Sequence, residues 1–91
     1  MKPETAKIDV DAPKAPKRFI FVLLDNFTLL SFASAVECLR IANRMAEAEL
    51  YSWALTGDTD DIITCSNGVR FHVDSPLAEL GREDVVIVCG G

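Results

Sequence analysis

Histidine is almost absent from this chain, and cysteine is sparse. His72 stands alone, and Cys38, Cys65 and Cys89 are widely spaced with no C-x-x-C pair. One histidine offers no second ligand at metal spacing, and three scattered thiols make neither a zinc site nor a disulfide framework. Each cysteine is therefore expected to be a small buried hydrophobe. Neither nucleotide fingerprint occurs, since the chain contains no GxGxxG and no P-loop. Long apolar runs are missing too: Phe19–Leu24 is far below the roughly 20 residues needed to span a bilayer. The early basic residues have no apolar region close behind them, so no secretory signal is present. These absences predict a soluble, cytoplasmic protein without metal or cofactor.

Basic residues are scarce beyond the start of the chain. From Phe19 onward four bases (Arg40, Arg44, Arg70, Arg82) face eleven acids, whereas residues 1–18 carry five bases and three acids. An acidic body repels phosphate backbones, so a DNA-reading element is expected outside these residues. Residues 1–17, with three prolines and few apolar side chains, read as a disordered leader that buries too little surface to offset the entropy of ordering. Residues 18–91 then form at most one small domain.

Within that domain RFIFVLL (Arg18–Leu24) is a continuous apolar run suited to a strand covered on both faces. The polar turn Asp25–Thr28 follows, with Thr28 or Asn26 as helix cap. From Leu29 to about Ala48 the period becomes helical. Phe32, Val36, Leu39 and Asn43 form one stripe, and Ala35, Cys38, Ala42 and Met45 a neighbouring one. Glu37, Arg40, Arg44 and Glu47 fall on the other side, where Glu37 reads as a buried carboxylate or as an exposed helical pair with Arg40. So broad an apolar arc predicts a second contact beyond a sheet, such as a subunit partner.

Leu50–Thr56 reads as a second strand and Gly57–Asp61 as an acidic loop. IITC and VRFHV flank Ser66-Asn67-Gly68 as a hairpin. Pro76–Leu80 is expected to be a short helix ended by Gly81. Val85–Cys89 (VVIVC) should be a central strand, paired on both edges; left open, such an edge is an aggregation hazard. This order implies an open, mainly parallel α/β sheet with helices on its faces.

In such sheets ligands bind outside the carboxyl ends of the strands, where strand order reverses. If the first and last strands are neighbours, Asp25-Asn26-Phe27 and Gly90-Gly91 meet there. Asp25 and Asn26 could hold a polar ligand or simply supply turn chemistry. Gly90-Gly91 could present backbone N–H groups to a ligand or form an ordinary tight turn. Cys89, in an apolar run without a cationic neighbour, reads as core rather than nucleophile. His72, with no paired nucleophile, reads as a strand or loop residue.

FVLLDNFTLLSFASAVECLRIANRM, followed by LYSWALTGD, SNGVRF and VVIVCGG, resembles the amino-terminal half of the PfpI-like sensor domain of AraC-type transcriptional regulators. That domain has a class I glutamine amidotransferase-like fold. The resemblance covers about residues 18–91 and is greatest with regulators of carnitine, glycine betaine or related amine catabolism. It implies a flavodoxin-like three-layer sandwich, incomplete in this chain, and a homodimer. It also implies a small-molecule effector and DNA binding through a carboxy-terminal helix-turn-helix domain not present here. On this register Ser31 occupies the position where enzymes of the superfamily carry an acidic side chain, and Gly90 and Gly91 match the turn that lines the pocket. The expected ligand-binding set is thus Asp25, Asn26, Phe27, Ser31, Gly90 and Gly91, with no catalytic residue. The competing reading is a fragment of a PfpI-like cysteine hydrolase or related stress enzyme.

Overall fold

The computed structural model describes residues 15–57, 61–74 and 80–91. In chain order its elements are β1 (Lys17–Leu23), α1 (Leu29–Ala46), β2 (Tyr51–Thr56), β3 (Ile62–Thr64), β4 (Arg70–His72) and β5 (Val85–Cys89). β1 begins at Lys17, one residue inside the stretch read as leader. Residues 1–14 of that leader, 58–60 of the acidic loop and 75–79 of the expected short helix lie outside the described residues.

β1 lies at the centre because its run is apolar on both faces. β2 and β5 flank it, both parallel to it, in the order β2-β1-β5. Phe21 and Leu23 point into one core cluster with Phe27, Phe32, Ile63, Cys65 and Cys89. Ile20 and Val22, on the opposite face by strand alternation, are buried as well. Among the described residues β5 pairs only with β1, so the second edge of VVIVC, expected to be paired in a complete sheet, is left open. Its Ile87 packs on the core, while Val86 and Val88 stay exposed. The strand is apolar on both faces, but this chain covers only one.

α1 owes little to its own ends. Thr28 is the N-cap with extended backbone, yet its side chain makes no capping bond, and the first turn holds no acidic residue. Packing supplies the missing stability: Phe32 is buried, and Ala35, Val36 and Leu39 press on the core. The helix stops at Ala46, two residues before the expected Ala48, because Glu47 turns left-handed (φ 54). Ala48 then donates its N–H to the Asn43 carbonyl at 3.2 Å. Arg44, in the last turn, favours the negative end of the helix.

Asn43 joins this helix end to the sheet. Its Oδ1 accepts from the amides of Leu50 (2.9 Å) and Tyr51 (3.0 Å), and its Nδ2 donates to the Tyr51 carbonyl (2.8 Å). One side chain therefore sets where β2 begins.

β3 and β4 pair antiparallel, with Ile63 opposite Phe71. The loop between them is the expected Ser66-Asn67-Gly68, closed by the Cys65 and Val69 pair. Cys65 N–H donates to the Val69 carbonyl, and Gly68 N–H donates to the Cys65 carbonyl. Gly68 takes φ 95, a conformation glycine accepts without cost from a Cβ. Past the hairpin, Asp74 exchanges two 2.7 Å bonds with the Leu55 backbone, its N–H to the Leu55 carbonyl and its Oδ2 from the Leu55 N–H.

Candidate functional site

The crevice is built at the carboxyl ends of β1 and β5. The β1–β5 ladder runs on beyond β1, with Leu24 N–H donating to the Cys89 carbonyl at 3.0 Å. Residues 24–27 then turn sharply: Phe27 N–H returns to the Leu24 carbonyl (3.0 Å), and Asn26 takes φ 67. Asparagine tolerates this left-handed conformation better than most residues. Thr28 N–H donates to the Gly90 carbonyl (3.0 Å), which ties the start of α1 to the end of β5.

The two expected loops therefore meet, and the glycine has a local reason. A Cβ on Gly91 would lie 2.5 Å from the Asn26 carbonyl oxygen, a backbone atom that cannot swing aside. By contrast, a Cβ on Gly90 would meet nothing within 4 Å. Asp25, Asn26, Ser31, Gly90 and Gly91 are all exposed around this crevice. The first turn of α1 opens beside them, and its leading N–H groups have no acceptor inside the helix. A carboxylate at Asp25 and a cluster of amide donors thus flank one shallow surface.

Phe27 stands apart from the other five. Its side chain is fully buried, with edge-to-face ring contacts to Phe32 (5.8 Å) and Phe71 (5.5 Å). Only its backbone borders the crevice. Residue patterns also missed the hairpin's part. Asn26 N–H donates to the Thr64 carbonyl (2.8 Å), and Ser66 N–H donates to the Phe27 carbonyl (2.9 Å). These contacts run through backbone, so no side-chain motif announces them.

Glu37 and Arg40 form the exposed helical pair, with Arg40 Nε at 2.9 Å and Nη2 at 2.5 Å from the two carboxylate oxygens. The hydrogen bonds from Arg40 hold the Glu37 carboxyl below its ordinary range. His72 is exposed on β4. Among the described residues no group of three or more His, Cys, Asp or Glu side chains could hold a metal ion. No described helix is long and apolar enough to cross a membrane. Among the described residues two hollows lie away from the crevice. One of about 550 Å³ sits between Arg18, Leu50 and Asp84 near the amino ends of the strands, and one of about 250 Å³ is lined by Asn43, Tyr51 and Trp53.

The cysteines divide. Cys65 and Cys89 are buried as expected, but Cys38 is exposed, which corrects its assignment to the core. It lies on the helix face turned away from Phe32 and Leu39, so the stripe of small residues divides: Ala35 packs on the core, while Cys38 and Met45 are exposed. Burial pushes the Cys89 thiol up, away from the reactive thiolate. Native protein treated with iodoacetamide should carry no adduct at Cys65 or Cys89 by peptide mapping. Cys65 and Cys89 should react only after denaturation. Fast native labelling of Cys89 would contradict its assignment as core.

No family model matches the chain. It is similar to the HTH-type transcriptional regulator GbdR of Pseudomonas aeruginosa, 43% identical over 76 residues, 84% of this chain and 21% of that protein. It is also similar to the HTH-type transcriptional regulator CdhR of the same organism, 38% identical over 73 residues, 80% of this chain and 21% of that protein. Among solved structures it resembles an AraC family transcriptional regulator from Pseudomonas putida. That match has a TM-score of 0.76 and 29% identity, and covers 84% of this chain and 48% of the other. The chain thus spans about a fifth of the length of the curated relatives it matches. In sequence and in fold, its homologues are AraC-family transcriptional regulators.

Proposed function

We propose that these residues are the effector-sensing and dimerising part of a cytoplasmic, DNA-binding transcriptional regulator. They would form the amino-terminal half of a PfpI-like sensor domain with a flavodoxin-like three-layer sandwich, residues 18–91. The observation that carries this reading is the meeting of the Asp25–Asn26 turn, Gly90–Gly91 and the first turn of α1 at the ends of two adjacent parallel strands. Open parallel sheets bind small ligands in this place. The relatives share the regulator description, and the body's acidity leaves DNA to a helix-turn-helix domain elsewhere in the protein.

The chemistry of the crevice favours a small zwitterion. Amide N–H groups and the positive end of α1 suit a carboxylate, and Asp25 suits a cationic amine. Carnitine and glycine betaine, the effectors implied by resemblance, have this make-up. In this reading Asn26, Ser31, Gly90 and Gly91 shape or contact the ligand, and Phe27 supports the turn from beneath. The hydrolase alternative has less support: Ser31 offers no carboxylate to assist a nucleophile.

Asp25 is exposed, so Asp25→Ala should leave folding intact. In the full-length protein this variant should lose at least about tenfold in effector affinity, the loss of one charged contact, while binding its operator as before. Titration calorimetry with carnitine and glycine betaine, beside an operator-binding assay, checks both. Unchanged effector affinity would remove Asp25 from the site, and lost operator binding in a folded variant would assign it another role.

A further inference from the structure

We propose that Asn43 and Asp74 are edge guards, two residues that end the sheet at β2 by taking up the backbone groups a further strand would need. Along a strand, successive residues turn their N–H and C=O to alternate edges. Lys17 N–H donates to the Leu50 carbonyl (2.9 Å) where β1 and β2 begin, so the even-numbered residues of β2 face β1. Tyr51, Trp53 and Leu55 therefore face outward, where among the described residues no strand pairs with β2. At Tyr51 the outward pair is held by Asn43, whose Oδ1 accepts from the N–H (3.0 Å) and whose Nδ2 donates to the carbonyl (2.8 Å). At Leu55 it is held by Asp74, whose Oδ2 accepts from the N–H and whose own N–H donates to the carbonyl, both at 2.7 Å. Between them, the outward N–H and C=O of Trp53 have no partner among the described residues.

The closure holds whatever else surrounds this segment. A strand joining β2 from any source would need the outward groups of Tyr51 and Leu55 as well as those of Trp53, and one free pair supports no ladder. The side-chain amide of Asn43 carries the same donor and acceptor as a peptide group, so it imitates the strand it excludes. Asp74 adds a charge, which further discourages pairing. A second copy is the strand partner most at hand, since two β2 edges could pair antiparallel about Trp53. That pairing would carry Glu49 of each copy toward Asp74 of the other, and like charges repel. The far edge of the sheet gives the contrast. It is open as well, yet no side chain among the described residues bonds the backbone of β5. A bare row of N–H and C=O groups is a template for unwanted strands, and only the β2 edge is furnished against them.

The test is amide hydrogen exchange at single-residue resolution in the full-length protein, beside sedimentation velocity across a concentration series. In the parent the Trp53 amide should exchange about tenfold or more faster than the Tyr51 and Leu55 amides on either side of it. Asp74→Ala should speed exchange at Leu55 by about tenfold or more, with the thermal transition retained because Asp74 is exposed. Asp74→Asn, whose amide oxygen still accepts, should keep Leu55 within about threefold of the parent. Asn43→Ala combined with Asp74→Ala should add a larger, concentration-dependent species to the parent's profile, and in that species the Trp53 amide should become protected. A Trp53 amide as slow as its neighbours in the parent would overturn the proposal, since another strand would then be paired there. So would a folded double variant that sediments like the parent, or a larger species in which the Trp53 amide stays fast. If the double variant does not fold, Asp74→Ala decides alone: an unchanged Leu55 amide would show that the carboxylate closes nothing.

Discussion

Phe27→Ala should remove most of the domain's stability, about 3–5 kcal/mol, by deleting a fully buried ring. The ring is one of four phenylalanines in mutual edge-to-face contact. Phe21 meets Phe32 at 5.3 Å, Phe32 meets Phe27 and Phe71, and Phe27 meets Phe71. Each belongs to a different part of the fold: β1, the crevice turn, α1 and β4. The lost side chain therefore uncouples the sheet from the helix and the hairpin together. A small domain has a total stability of only about 5–15 kcal/mol, so the cooperative denaturant transition should weaken severely or vanish. Phe27→Leu, which keeps an apolar filling, should cost about 1–2 kcal/mol and retain the effector response. The pair separates two roles. Were Phe27 a ligand contact through its ring, the alanine variant would stay folded and lose only the response.

Asn43→Ala is the second large effect expected, about 2–3 kcal/mol in urea unfolding. Its amide makes three hydrogen bonds to the backbone at the entry to β2, and no neighbouring side chain duplicates them. Alanine would leave the Tyr51 N–H and C=O without that partner in a half-buried site. Leu50 suffers less, since its N–H also reaches the Ala48 carbonyl at 3.1 Å. Asn43→Asp should fall between: it keeps both acceptor contacts, but sets an oxygen against the Tyr51 carbonyl. Hydrogen exchange should localise the damage to β2 and the end of α1. A loss under about 0.5 kcal/mol would mean that water replaces the side chain at no cost.

Much of the architecture was legible because each element announces itself by its own periodicity. The unbroken run at the start of β1, the helical stripe through Phe32, Val36 and Leu39, and the β-branched segments around Ser66–Gly68 each signal one local conformation. Boundaries were less legible where the stop signal is unusual. Glu47 ends α1 in a left-handed conformation with no glycine to mark it. Cys38 was misread for a deeper reason. An apolar arc records that something covers a helix, and the same side chains serve a core or a second molecule. The meeting of the crevice loops followed from placing the first and last strands side by side. Phe27 was harder, because a polar turn, DNFT, holds one residue that belongs to the core. The supporting carbonyl of Thr64 and amide of Ser66 were beyond reach, since every residue type carries those groups.

The position of β1 has a consequence for how the protein is made. It is a strongly apolar segment, yet both of its strand neighbours among the described residues follow it in the chain. Phe19 pairs with Trp53 on one side and with Val85 on the other, near the far end of these residues. Parallel strands cannot be joined by a tight turn, so no local hairpin can shelter β1 while translation proceeds. Loop closure over nearly the whole segment must precede the last pairing, which slows folding and prolongs exposure of the nascent strand. Chaperone capture of the emerging polypeptide, or a pause that lets α1 fold over Phe21 and Leu23, would bridge that interval.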